Sequence, residues 1–113
     1  MTDLSQLGAT KVLYLTTLGR ISGLPCTIEI WFVLYGGSFY VLAEHGYQAN
    51  WVKNINANPN VHIRVADHEL DAQGRVLDPV LDQDLSRTIQ DLGRQKFDWG
   101  EGLPVQLTPY PSS

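Results

Sequence analysis

Apolar and polar residues alternate with period two through most of this chain and shift to a helical period in two stretches, which predicts strands interrupted by helices. Residues 11–17 (KVLYLTT) are rich in β-formers and predict a first strand. Residues 18–25, punctuated by Gly19, Gly23 and Pro25, predict a loop. From 27 to 35, Ile28, Ile30, Phe32 and Leu34 share one face, and Thr27, Glu29, Trp31, Val33 and Tyr35 the other. Gly36-Gly37 separates this strand from residues 38–43 (SFYVLA), the two-residue signature of a tight hairpin.

After a loop at 44–48, residues 49–57 read as a short helix with Asn50 as N-cap and Val52 and Ile55 inward. Asn58-Pro59-Asn60 ends it. Val61, Ile63 and Val65 alternate with polar neighbours, and 70–77 predicts their pairing strand. Asp78-Pro79 breaks the chain. Residues 82–97 place Leu85, Ile89 and Leu92 at helical spacing, with acids early and bases late. Residues 103–108 close as a sixth strand. Six strands and two helices of this length predict a small antiparallel barrel plugged by its helices.

At 113 residues, 43% of them hydrophobic, residues 1–113 form one domain with room for a single core. The formal charge of −4 and the scattered lysines and arginines argue against a nucleic-acid partner. The most apolar stretch, 28–34, is broken by Glu29 and is too short to span a bilayer as a helix. The N-terminal MTDLSQLGATK lacks the pattern of a signal peptide, and a lone Cys26 suits a reducing, cytoplasmic setting.

Two segments hold the candidate chemistry. In Thr16-Thr17-Leu18-Gly19-Arg20-Ile21-Ser22-Gly23, glycines free backbone amides while Thr17, Ser22 and one guanidinium add donors, a set suited to a phosphate or carboxylate. The same residues also describe an ordinary turn with a surface arginine. In Ala43-Glu44-His45-Gly46, a strand end and glycine loop lead into a helix start that can face the polar edge of a heterocycle. Trp51 either stacks on such a ring or staples the helix to the barrel. Asn54 and Asn56 either serve the site or bind nearby loop backbone. His45 is a candidate proton donor or a solvent-facing loop residue. His62 and His68 show no ligand spacing with Cys26, so no metal site is expected.

Taken together, LTTLGRISGLP (15–25), YVLAEHG (40–46) and NWVKNINANPNV (50–61) resemble the deazaflavin-dependent nitroreductase family, among the pyridoxamine 5'-phosphate oxidase-like split barrels. FDWGEGLPV (97–105) is similar to the ending of many relatives, and the likeness runs from Lys11 to Pro109. It implies a mainly β (α+β) fold, a six-stranded antiparallel split β-barrel with two helices. It implies coenzyme F-420 (8-hydroxy-5-deazaflavin) as cofactor, or flavin mononucleotide in related branches. The implied activity is hydride transfer from the reduced deazaflavin to a quinone-like or nitroaromatic acceptor, in a homodimer. A dimer binding flavin mononucleotide and a non-enzymatic carrier remain alternatives.

By the same resemblance, Arg20, Ser22 and Gly23, with Thr17 beside them, approach the phosphate and acidic tail, and Pro25 ends that loop. The backbone at Ala43, Glu44, His45 and Gly46 approaches the ring, with His45 as candidate proton donor. Trp51 and Asn54 match helix positions beside the cofactor. Ile21 and Cys26 stand where relatives often carry basic residues.

Overall fold

The computed structural model describes residues 10–110, so the stretch read above for a leader lies, up to residue 9, outside the described residues. β1 (Val12–Leu18), β2 (Pro25–Tyr35) and β3 (Ser38–Ala43) come first. α1 (Asn50–Ala57) then leads to β4 (Asn60–Val65) and β5 (His68–Val76), and α2 (Gln83–Phe97) to β6 (Leu103–Pro109). Every pairing is antiparallel, and the order β1-β2-β3-β6-β5-β4 closes a barrel. The six strands and two helices read from periodicity are all present, with ends moved by two residues or fewer.

Alternation dictates what fills the barrel. Leu13 and Leu15 of β1, Phe39 and Val41 of β3, Val61, Ile63 and Val65 of β4, and Val105 and Leu107 of β6 form one buried cluster. Each such side chain contributes ~1.5–3 kcal/mol by leaving water. The hairpin joining β2 to β3 turns on Gly36 (φ +58°) and Gly37 (φ +81°), the paired positive φ that a two-residue turn with native twist requires.

β2 changes partner halfway along its length. Residues 25–31 pair with β1, and Phe32–Tyr35 with β3. The Phe32 amide donates to the Lys11 carbonyl at 3.2 Å. In an antiparallel ladder this sets the parity: peptide groups of even-numbered β2 residues turn towards β1, and those of Thr27 and Glu29 turn the other way. No strand meets them there, because the ladder with β3 stops at Phe32. The barrel is therefore split along this edge.

The two helices occupy different places, which corrects the expectation that both plug the barrel. α1 does so: Val52 and Ile55 belong to the interior cluster. α2 lies against the outer face of β2 and β3, where Ile89, with Leu85 and Leu92, covers Val33, Tyr40 and Leu77. Val33 had been placed on the mixed face of its strand, and this helix is what buries it. Asn50 is not the N-cap of α1; Ala49 holds that position, with extended backbone and no side-chain bond. α2 ends at Asp98 in the left-handed conformation (φ +60°), whose amide donates to the Arg94 carbonyl at 2.9 Å. The chain then folds tightly back: a Cβ at Gly100 would collide with the Gln90 carbonyl oxygen. That contact brings Trp99 against the barrel.

On the opposite face, His62 of β4 places Nδ1 3.0 Å from Asp71 and Nε2 3.2 Å from Glu69 on β5. Carboxylates only accept, so both contacts are hydrogen bonds only when both ring nitrogens carry protons, which favours the imidazolium form. The bond to Asp71, opposed by some desolvation and assisted by Glu69, raises its pKa. Stability from this group is full below the ordinary imidazole value and is lost as pH rises through the raised folded value. His62→Gln should therefore lower Tm more at about pH 5.5 than at about pH 9. An equal loss at both would show that the triad is not linked to folding.

Candidate cofactor and acceptor site

The split opens into a cleft of about 650 Å³ between β2, the end of β3, the start of α1 and the C-terminal half of α2. Its walls include Ile28 and Ile30 of β2, Leu42 of β3, and Phe97 of α2. All three tryptophans of the chain, Trp31, Trp51 and Trp99, line it. Trp31 stacks on Phe97 with ring centroids 4.7 Å apart and 12° between planes. That pair keeps a large indole in place although it remains 49% exposed. Trp51 both packs on the interior cluster and lines the cleft, so the two readings of it are compatible. Glu29, Glu44 and His45 are the polar residues here, and Glu29 also presents its unpaired peptide groups.

Lys96 secures the apex of the split. Its ammonium donates to the carbonyls of Thr10 at 2.7 Å and Phe32 at 2.9 Å and lies 4.3 Å from the centre of the Phe32 ring. Burial lowers its pKa. The end of α2 is thereby tied to the point where β2 changes partner.

A second cluster forms beyond the Ile28 end of the cleft. Asn54 of α1 is buried, and its Oδ1 accepts from the Arg20 amide at 3.2 Å and from Arg20 Nη1 at 3.0 Å. Its Nδ2 donates to Thr17 Oγ1 at 3.1 Å. Asn54 thus binds loop backbone, as one of its two readings held, and also fixes one arm of the guanidinium. The loop closes on itself through Gly19 N to Leu24 O at 2.9 Å, Gly23 N to Gly19 O at 2.8 Å and Leu24 N to Ser22 Oγ at 3.2 Å. Pro25 opens β2 opposite Leu18. Ile21 and Cys26 are exposed.

The sequence candidates therefore fall into two groups. Thr17, Arg20 and Asn54 are joined by hydrogen bonds, with Ser22, Gly23 and Pro25 in the same loop and strand start. Glu44, His45 and Trp51 line the aromatic cleft. Ala43 is buried in its pairing with Leu103, and Ala43, Glu44 and Gly46 border a smaller cleft of about 470 Å³ on the far side of the 43–46 strap. Pattern reading missed Trp31, Phe97 and Trp99. Their signal was the richness in tryptophan, which could not say that the three residues converge.

The residues present fit a deazaflavin. Its planar ring needs flat apolar walls, and the indoles and Phe97 supply them. The ring's polar edge needs donors and acceptors, which the unpaired Glu29 peptide offers. Its phosphate and acidic tail need a cation, and Arg20 stands in the loop just before Pro25, where β2 begins. Among the described residues no carboxylate pairs with Arg20, no group of His, Cys, Asp and Glu is placed to hold a metal, and no helix is long and apolar enough to cross a membrane.

A split barrel with an aromatic cleft at the split and an arginine loop beside it is suited to a flavin-type cofactor. The profile of the F420H(2)-dependent quinone reductase family matches residues 3–99, and the chain belongs to that family. It is accordingly an oxidoreductase of the deazaflavin class, with coenzyme F-420 as its cofactor. Among solved structures, it is similar to a candidate pyridoxamine 5'-phosphate oxidase from Listeria innocua, at 17% identity and TM-score 0.75 over 96% of this chain and 90% of that one. An F420 reductase matches at 22% identity and TM-score 0.65, covering 100% of this chain and 95% of the other. An F420-H2 dependent reductase, FDR-A, matches at 22% and 0.60, covering 86% and 92%. At these identities the likeness is one of fold. Comparison with curated proteins found no match.

Asn54 is the junction of the loop cluster. Asn54→Ala should cost about 1–3 kcal/mol, the penalty for stranding buried hydrogen-bonding groups. Hydrogen exchange should rise at Gly19 to Gly23 before it rises in the barrel; uniform exchange would deny Asn54 this local role.

Proposed function

We propose that this chain reduces a quinone-like small molecule with hydride from reduced coenzyme F-420, the ring lying in the aromatic cleft and the anionic tail on the Arg20 loop. One observation carries the reading: every tryptophan converges on a single cleft whose far end leads to an arginine without a carboxylate partner among the described residues. When bound, the cofactor supplies the hydride; the protein supplies orientation and exclusion of water.

In this reading Arg20 grips the tail with the guanidinium nitrogens that Asn54 leaves free, a charge-assisted contact. Asn54 is a positioning residue, because its side chain is spent on Arg20 and Thr17. Ser22 and Gly23 shape the loop around the phosphate, and Pro25 ends it. Of the strap, Glu44 and His45 border the ring, and Trp51 walls it. His45 delivers the proton that, with the hydride, completes two-electron reduction of a quinone to a hydroquinone. The family match supports a quinone-like acceptor; a nitroaromatic one draws no support of its own. Nothing favours flavin mononucleotide or a carrier role over deazaflavin redox chemistry.

The reading extends to a homodimer, since Trp31 and Tyr35 stay about half exposed with α2 in place. Light scattering at twice the chain mass supports this assembly, and a monomer at working concentration removes it.

The function is tested by titrating the protein with reduced deazaflavin, oxidised deazaflavin and flavin mononucleotide while following tryptophan fluorescence. Deazaflavin should quench preferentially. Arg20→Ala should weaken it about tenfold or more, as expected for losing a hydrogen bond to a charged group, with Tm little changed. Unchanged affinity would strip Arg20 of its role, and preference for flavin mononucleotide would replace the deazaflavin reading.

A further inference from the structure

We infer that the cleft selects its acceptor by charge, taking neutral and cationic planar molecules and rejecting anionic ones. This rests on the proposed function, in which the acceptor meets the ring in this cleft. The cleft lining carries two carboxylates, Glu29 and Glu44, and neither a lysine nor an arginine. Neither carboxylate has a counter-ion among the described residues, where the ion pairs engage Glu69, Asp71, Asp82 and Asp91 instead.

The aromatic walls add to the effect. Ring faces are negative by their quadrupole and attract cations, most strongly for indole. Both carboxylates are exposed, so their field at a bound charge is screened by water and by salt. The net charge of −4 adds the same sign at longer range. Arg20, Lys96 and, in the form that delivers a proton, His45 oppose this. Arg20 stands in the loop before Pro25, outside the lining of the cleft, with one guanidinium nitrogen bonded to Asn54. Lys96 stands behind Phe32 and Phe97 with its ammonium bonded to two carbonyls, and offsets at most one of the two carboxylates.

The chemistry favours the same choice. A neutral quinone that accepts hydride becomes an anion and needs a proton to finish as hydroquinone. A cationic planar acceptor that takes hydride at carbon becomes neutral with no proton required. A bound reduced deazaflavin would supply a hydride and a proton; the quinone takes both, whereas the cationic acceptor takes the hydride while the proton goes to water, so it alone needs no proton held in the cleft.

The test uses one naphthoquinone scaffold in three forms: unsubstituted, sulfonated, and bearing a trimethylammonium group. Binding is read by tryptophan quenching without cofactor, and turnover separately with reduced deazaflavin. At low salt and about pH 8 the ammonium form should bind about tenfold tighter than the sulfonate, with the neutral form between. Added salt should narrow the spread. The double variant Glu29→Gln with Glu44→Gln should bring the three within about twofold of one another. Equal affinities in the wild-type protein, or an order that survives the double substitution, would overturn the inference. Absence of turnover with the charge order intact would instead remove the proposed function and leave this property of the cleft standing.

Discussion

The change of partner in β2 is the constraint on which the rest of the site depends. A strand has two hydrogen-bonding edges, and over residues 25–31 only one of them is used. An unpaired edge inside a domain is costly unless something polar meets it or water reaches it. The fold leaves this edge open to a cleft, and the elements around it keep the cleft open. Lys96 ties the helix end to the carbonyl of Phe32, at the residue where pairing passes from β1 to β3. Trp31 is one residue before that point and is held against Phe97, the neighbour of Lys96 in sequence.

The arginine loop depends on the same arrangement at the other end of the strand. Pro25 starts β2, and the loop that precedes it is held by Asn54, a polar side chain buried in a helix that otherwise fills the barrel end with Val52 and Ile55. Burying an amide is tolerable only when its hydrogen bonds are made, and three of them are made here. α1 therefore does two jobs. Its apolar face closes the barrel, while Trp51 and Asn54, one turn apart, attach it to the cleft and to the loop.

Family membership and site geometry agree on the kind of chemistry, and the residues decide how far the agreement goes. Arg20 is present where the resemblance asks for a cation, whereas Ile21 and Cys26 leave the loop with one guanidinium and an exposed apolar tip. The loop thus offers a single guanidinium, and the cleft beside it carries carboxylates of its own. A molecule with a cationic end and an acidic middle would hold an anionic tail and favour an uncharged or positive acceptor, a separation of roles that a uniformly basic groove would not provide.

The strands, the glycine hairpin and the helix at 83–97 were legible in the chain because each depends on residues close in sequence: period-two alternation, paired glycines, and apolar side chains one and two turns apart. The arginine loop and the 43–46 strap were also visible as motifs. Position relative to other elements was not. Nothing local distinguishes a helix that plugs a barrel from one that lies on its outside, so Val33 became core only when α2 covered it. Trp31, Phe97 and Trp99 are up to 68 positions apart, and their meeting depends on strand register, on the tight turn at Gly100 and on the loss of pairing in β2. Local patterning and resemblance determined the strands, the helices and the class of redox partner. Only the closing of the barrel decided which side chains share a cleft, because that is a matter of long-range packing.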